Sequence, residues 1–427
     1  MDVYKRFLES SVVPWRIRHP ISQWVEESAY MRYPRFYRWL HFGRSSDPVK
    51  AVTKGPLHHF FGYYDKSPWN ASGRYLLGHE VRFNDRAPGA EDVIGIGVID
   101  LNAGNQFKRL TECRAWNWQQ GSMAQWHPLD PERLFVHNDC RHSRFVGVVR
   151  DLEKGEEAVF DRPLYALLPD GKTGFSLNFA RLAVHRPGYG YAGVNDPYGD
   201  DPHPDADGIW RVDLTSGHAD QVVSLADLAA RNPKYTMEGS WHYINHIQPS
   251  RGGDRIAFFH VWHKDAQDWE VRLYTCRPDG SELACLLDTG FISHYDWRDD
   301  DTILVWANRS SEPARFLLLC HSRPDFKVFG EADLRADGHC SFSPNGRWVL
   351  NDTYPDAHDM RTLMLVGAED ERRWDIARLY SPKSRGWGEI RCDLHPRWSR
   401  DGRQICIDSV HEGSRQMYVV DVPEFAL

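Results

Sequence analysis

The chain has 427 residues, a formal net charge of −8 and 13% aromatic residues, among them 17 Trp and 18 Tyr. Net negative charge argues against a nucleic-acid partner, since such proteins usually present a basic surface. No stretch reaches the roughly 18 apolar residues needed to cross a bilayer. The chain's start also lacks the apolar core of a secretory signal, so we expect a cytoplasmic protein.

The first 50 residues have a helical pattern in which aromatic residues such as Trp24 and Trp39 alternate with arginines such as Arg35. We predict a helical N-terminal extension over residues 1–50 and a separate domain over residues 51–427. Two interpretations of the extension stay open. It is either a cap packed against the main domain or a basic, aromatic helix that docks on a partner or a membrane surface.

One turn phrase recurs seven times along the rest of the chain and is followed each time by a strand pattern. The clearest copies are Ser343-Pro344-Asn345-Gly346-Arg347 and Ser399-Arg400-Asp401-Gly402-Arg403, and the others begin at Ser67, Trp126, Leu168, Gln248 and Asp296. Asn-Gly and Asp-Gly supply the positive φ of a tight hairpin. Such a repeat is typical of propeller blades. We therefore predict an all-β, seven-bladed β-propeller with long insertions between Arg181 and Gln248.

Three segments carry a family resemblance, namely residues 58–69, 121–126 and 294–297. They resemble the β-propeller polysaccharide lyases, above all the ulvan lyases and more distantly the oligogalacturonate lyases. The resemblance covers roughly residues 55–425. It implies β-elimination next to a uronic-acid carboxylate, an anionic polysaccharide or oligosaccharide as partner, and a bound metal.

Elimination needs a group that neutralises the carboxylate, a base for the C5 proton and an acid for the leaving oxygen. The resembling enzymes use two His about twenty residues apart, then a Tyr and an Arg about sixteen apart. His59 and His79 repeat the first spacing, and Tyr165 and Arg181 the second. The resemblance thus implies that Arg181 neutralises the carboxylate, His59 helps to bind it, and His79 and Tyr165 exchange protons. Which of the last two is the base stays open.

Further residues are candidates for binding the substrate. His58 competes with its neighbour for the first catalytic position, and Asn138 ends a predicted strand. Arg186, Tyr189 and Tyr191 form a compact motif that combines a cation with aromatic rings. We predict that these five residues contact sugar hydroxyls or carboxylates.

A dense group of histidines predicts a metal site. The resemblance points to His246 and His260, and we add His294 as a third ligand, with His339 and Cys340 as reserves. Imidazoles favour a borderline ion such as zinc. We expect a single divalent ion with a structural role.

The sequence therefore predicts a polysaccharide lyase that leaves a 4,5-unsaturated uronate. One alternative is a non-catalytic propeller that binds glycans or serves as a scaffold. Another is a different carbohydrate-active enzyme on the same framework, because a fold does not fix a function.

Overall fold

A computed structural model describes residues 48–265, 268–309, 312–382 and 388–427. These residues form seven four-stranded antiparallel sheets, which confirms the predicted seven-bladed propeller. Strand β1 begins at Val49, so the predicted domain boundary at residue 50 falls inside a strand. The predicted helical extension otherwise lies outside the described residues.

Each blade has four strands, and blades one to six use them in chain order. Blades one to three contain β2 (His58–Phe60), β3 (Tyr75–Val81), β4 (Ile94–Asp100), β5 (Gln106–Cys113), β6 (Gln125–Trp126), β7 (Leu134–Arg141), β8 (Arg144–Asp151), β9 (Gly155–Phe160), β10 (Ala166–Leu167), β11 (Thr173–Ser176), β12 (Gly208–Asp213) and β13 (Ala219–Ser224). Blades four and five contain β14 (Trp241–Pro249), β15 (Ile256–His263), β16 (Glu270–Cys276), β17 (Ala284–Gly290), β18 (Ile292–Trp297), β19 (Thr302–Arg309), β20 (Glu312–Cys320) and β21 (Arg323–Phe329). Blades six and seven contain β22 (Ser341–Phe342), β23 (Trp348–Asp352), β24 (Met360–Gly367), β25 (Arg373–Tyr380), β26 (Arg397–Trp398), β27 (Gln404–Ser409), β28 (Gln416–Asp421) and β1 (Val49–Ala51).

The seventh blade joins the two ends of the described chain. Its outer strand is β1, which pairs antiparallel with β28 so that Val49 faces Val420. An ion pair of 2.5 Å between Lys50 and Asp421 accompanies this pairing. The ring of blades is thereby closed by hydrogen bonds between segments that are far apart in sequence.

The seven predicted turn phrases all connect the first strand of a blade to the second. In blade six, the N–H of Ser343 donates to the carbonyl of Trp348 at 2.8 Å, and Gly346 takes a φ of 70°. In blade seven, the N–H of Ser399 donates to the carbonyl of Gln404 at 2.8 Å. Because the first strands run side by side, these turns share one end of the propeller. We call that end the turn face.

The opposite end, which we call the loop face, carries the second-to-third strand connections and those between blades. The longest covers residues 177–207 and contains helix α1 (Phe179–His185), whose N-cap Asn178 accepts from the N–H of Arg181 at 3.0 Å. Helix α2 (Leu225–Ala230) follows β13. Both helices lie within or beside the stretch in which the sequence predicts insertions.

Apolar strands form the core between blades, and β24 is buried along its whole length. Such burial contributes about 25 cal/mol per Å² of apolar surface removed from water. No helix in the described part of the chain is long and apolar enough to cross a membrane.

Candidate functional site

Four buried imidazoles lie on or just before the first strands of four consecutive blades. They belong to His246, His294, His339 and His395. In each of these blades, the N–H of one residue closes the hairpin between the first and second strands. These closing residues are Ser250, Arg298, Ser343 and Ser399, and each histidine lies four positions before its closing residue. The ring centroids of His294 and His339 are 4.1 Å apart, and those of His339 and His395 are 4.4 Å apart. We call this group the histidine arc.

The backbone is strained at two positions of the histidine arc. His246 has a φ of 53° and His395 a φ of 41°, which are left-handed values that few side chains adopt. Met123 holds the equivalent position in blade two and has a φ of 55°. Strain of this kind is concentrated at functional sites, where the surrounding structure maintains it.

Three residues offer the geometry of a metal site. One ligand atom each from His339, Asp393 and His395 lies within 4.8 Å of the others, and all three side chains are buried. Nδ1 of His339 lies 2.9 Å from the Asp352 carboxylate, which fixes the proton on Nδ1 and leaves Nε2 with a free lone pair. Among the described residues, Nε2 of His339 and Nε2 of His395 have no hydrogen-bond partner. This arrangement fits a divalent cation.

The surroundings of Asp393 and His395 favour the ionised carboxylate and the neutral imidazole. Burial alone would raise the pKa of Asp393, but Arg391 and Arg361 outweigh it and hold that pKa well below its usual range. Arg391 and Arg361 lie 2.7 Å and 2.8 Å from the carboxylate. Burial and the neighbouring His339 lower the pKa of His395 well below its ordinary value. An ionised carboxylate and a neutral imidazole are the forms that bind metals.

A cleft of about 190 Å³ opens beside the histidine arc on the loop face. Its polar lining residues are Tyr63, Arg186, Tyr189, Tyr243, Asn245, Ser293, His294, Asp337 and Tyr354. The cleft brings together side chains from blades one, three, four, five and six. The cleft adjoins the metal-type cluster through His294, whose ring centroid lies 4.1 Å from that of His339.

His294 is held in one orientation at this cleft. Its Nδ1 lies 3.1 Å from an Asp337 carboxylate oxygen and 3.0 Å from the Ser293 hydroxyl. Burial and His339 lower the pKa of His294, although Asp337 opposes them. The lowered pKa favours the neutral imidazole, and the carboxylate at Nδ1 favours the tautomer that carries its proton there and leaves the lone pair on Nε2.

Arg186 brings positive charge to the same cleft. Its guanidinium lies over the rings of Tyr189, at 5.1 Å, and Trp269, at 5.7 Å. It forms no ion pair within the described part of the chain. Two of the residues predicted to bind substrate, Arg186 and Tyr189, thus line the cleft, with the cation available for an anion.

The predicted catalytic quartet is not brought together. His59 is in register with Glu80, whereas His79 is in register with Phe60, so the two imidazoles leave opposite sides of blade one. His59 bonds Gln416 of blade seven at 3.0 Å and His79 bonds Ser122 of blade two at 2.8 Å. His58, the competing candidate, accepts at Nδ1 from the N–H of Arg415.

The other two members of the quartet are occupied by structural contacts. The hydroxyl of Tyr165 accepts from Gln120 at 2.6 Å. The guanidinium of Arg181 is only 1% exposed; it pairs with Asp196 at 3.0 Å and donates to the carbonyls of His242, Asp201 and Pro202. Arg181 thereby fastens the 177–207 connection to blade four, and its N–H groups point into protein.

Two further residues predicted to bind substrate lie inside the blades. Asn138 donates to the Leu164 carbonyl at 2.9 Å and to the Tyr191 hydroxyl at 3.0 Å. Its Oδ1 accepts from the N–H of Leu164 at 2.7 Å. Because these bonds occupy the amide and both side chains are fully buried, Asn138 and Tyr191 connect blades two and three.

The predicted metal ligands are divided between two places. His246 and His294 belong to the histidine arc, but His260 lies on the second strand of blade four, in register with Ile244, and bonds His242 at 2.9 Å. The reserve ligand His339 belongs to the metal-type cluster. Its neighbour Cys340 is buried, with Sγ 4.0 Å from the Leu304 carbonyl.

Sequence reasoning missed Asp393 and His395. The signal that could have found them is the repeat itself, because His246, His294, His339 and His395 share one register in successive turn phrases. Aligning the blades on their closing residues identifies the arc without any structure.

Several solved structures are similar to this chain in fold. The oligogalacturonate lyase from Vibrio parahaemolyticus is 13% identical, with a TM-score of 0.63 over 89% of this chain and 94% of that one. An oligogalacturonate lyase in complex with manganese is 15% identical, with a TM-score of 0.63 over 88% and 94%. The tricorn protease is 11% identical, with a TM-score of 0.50 over 87% of this chain and 34% of that one. No family model and no curated protein matches the sequence. The likeness establishes the fold.

Proposed function

We propose that this protein is a metal-assisted lyase that cleaves short, uronic-acid-containing oligosaccharides by β-elimination. One observation carries the proposal: His294, oriented by Asp337, shares a cleft with the unpaired cation of Arg186 beside a metal-type cluster. A base, an anion-binding cation and an electrophile are the three groups that elimination next to a carboxylate requires.

In this mechanism Arg186 binds the uronate carboxylate and disperses its charge, which makes the C5–H bond more acidic. Nε2 of His294 takes the C5 proton, and the electrons of the C5–H bond form the C4=C5 double bond. The C4–O bond breaks, and the departing oxygen takes a proton from Tyr354. Burial and the Asp393 charge raise the pKa of Tyr354 well above its ordinary value, so the phenol stays protonated and able to donate.

His339, Asp393 and His395 would hold the metal beside His294. A divalent ion bound there would supply Lewis acidity, which would stabilise negative charge that develops on the substrate. The expectation of zinc rested on imidazoles alone, whereas this donor set includes a carboxylate. The mixed set suits manganese, the ion in the complex of the second structural neighbour.

The fold likeness supports the same class of reaction, because two of the structures similar to this chain are oligogalacturonate lyases. We infer an anionic oligosaccharide as substrate. We also propose that the protein is related to the ulvan lyases and that it is located in the cytoplasm.

The test is to incubate the purified protein, with and without manganese, with oligogalacturonate, ulvan, heparosan and chondroitin. A rise in near-ultraviolet absorbance reports the unsaturated uronate. We expect His294→Ala to lower kcat by about 10²–10⁴-fold. Arg186→Gln should lower kcat/KM by about 10–100-fold, the value of a charge-assisted hydrogen bond.

Arg211→Gln is the matched control, because Arg211 lies on the third strand of blade three and pairs with Asp220 on the outer strand at 3.1 Å. It should keep full activity. A saturated product would make the protein a hydrolase. Equal rates for the His294→Ala variant and the unaltered protein would show that His294 takes no part in the reaction.

A further inference from the structure

The outer end of the cleft differs chemically from the end that faces the histidine arc. It is walled by the aliphatic side chains of Val261, Val271 and Ile292. The rings of Trp269 and Phe291 lie across it with centroids 5.6 Å apart, and Phe291 is 37% exposed. A sugar hydroxyl buried against this wall would lose its hydrogen bonds to water, which is unfavourable. The surface therefore suits an apolar substituent rather than an unmodified sugar.

A second polar side chain, besides Arg186, adjoins the apolar wall. Asn245 on β14 is 8% exposed and lines the cleft, and its backbone pairs with Phe259. Within the described part of the chain, its Oδ1 has no hydrogen-bond partner. An unsatisfied buried acceptor costs about 1–3 kcal/mol, so a ligand that supplies an N–H or O–H here binds more tightly. Single polar groups of this kind set the orientation of ligands in apolar pockets.

We infer that the outer end of the cleft binds the N-acetyl group of an amino sugar next to the uronate. The acetyl methyl packs against Val261 and Val271, the amide N–H donates to Oδ1 of Asn245, and the ring of Trp269 covers the group. This inference rests on the proposed function for the uronate. A 6-deoxy sugar would fill the apolar wall but leave Asn245 unpaired.

The kinetic test compares heparosan oligosaccharides with the same oligosaccharides after N-deacetylation. We expect kcat/KM to favour the acetylated form by about 5–100-fold. The Asn245→Leu variant, which removes the acceptor at similar size, should reduce that ratio to below about 3-fold. Trp269→Ala should raise KM for the acetylated substrate. Trp374→Ala serves as its control, because Trp374 lies on the outer strand of blade six, where it packs against Trp348.

A binding measurement separates this inference from the proposed function. Saturation-transfer NMR with free N-acetylglucosamine should show its methyl group as the most strongly saturated, and the signal should weaken in Asn245→Leu. If the methyl is saturated but no uronate glycan is cleaved, the subsite stands and the lyase proposal falls. If oligogalacturonate is cleaved while the methyl shows no saturation, or both heparosan forms react equally, the subsite is overturned and the lyase proposal stands.

Discussion

The turn face and the loop face of this propeller are built from the same strands yet differ in regularity. On the turn face, the hairpins closed by Ser250, Ser343 and Ser399 each contain the same type of backbone hydrogen bond. On the loop face, the second-to-third strand connections range from residues 142–143 in blade two to residues 177–207 in blade three. The regular end fixes where the first strands lie, and the irregular end is thereby free to carry chemistry. Stability and function should then be separable by mutation.

The largest effects are expected from single substitutions at two residues of blade seven, His395 and Ser399, which lie four positions apart. His395→Asn should lower activity by at least about 10²-fold, because the proposed metal site loses a ligand, while the free energy of unfolding changes less, since Asn tolerates the left-handed backbone at this position. Ser399→Ala should do the reverse. The Ser399 hydroxyl accepts from the N–H of Gln404 at 2.9 Å, and its loss should cost about 1 kcal/mol of stability. Metal content, product absorbance and urea denaturation measure the three effects. Comparable losses of stability in both variants would contradict the separation.

Low pH should instead lower the free energy of unfolding of the whole propeller, without distinguishing the two faces. His79 and His137 are buried in second strands, and burial lowers the pKa of each to about 4. Because the unfolded chain binds these protons near pH 6.5, the stabilisation is complete above that pH and is lost as the pH falls toward 4. We expect the free energy of unfolding to fall by roughly 2–3 kcal/mol per residue at pH 4.

Urea denaturation between pH 7 and pH 4 measures this dependence. His137→Gln removes one titrating group and should flatten the curve. An unchanged slope in that variant would show that the pKa of His137 is the same in the native and the unfolded protein.

The smallest expected effect isolates the backbone of the turn face. Gly346 has a φ of 70°, and a Cβ there would meet nothing within 4 Å. Gly346→Ala should therefore lower the free energy of unfolding by about 1–2 kcal/mol through backbone strain alone, with activity intact. Gly346→Asn should cost less, since Asn tolerates the left-handed region. Thermal denaturation ranks the three proteins, and an equal cost for Ala and Asn would refute the backbone explanation.

Local chemistry explains which features the sequence predicted. The Asn345-Gly346 and Asp401-Gly402 turns are determined by their own residues, so the number of blades could be read directly. The catalytic quartet relied on spacing along the chain, which does not say that His59 and His79 leave opposite sides of a blade. Nor does spacing show that Arg181 is occupied by carbonyl groups. Arg186 and Tyr189 were predicted from a motif that combines charge with aromatic rings, and they do line the cleft.

The closure of blade seven by β1 has a consequence for biosynthesis. Lys50 and Asp421 are 371 positions apart, so a ribosome must translate nearly the whole described chain before β1 meets β28. Until then, β1 has an unpaired edge that another nascent chain can capture. We expect molecules truncated before β28 to depend on chaperones and to aggregate, even though six blades have already been synthesised.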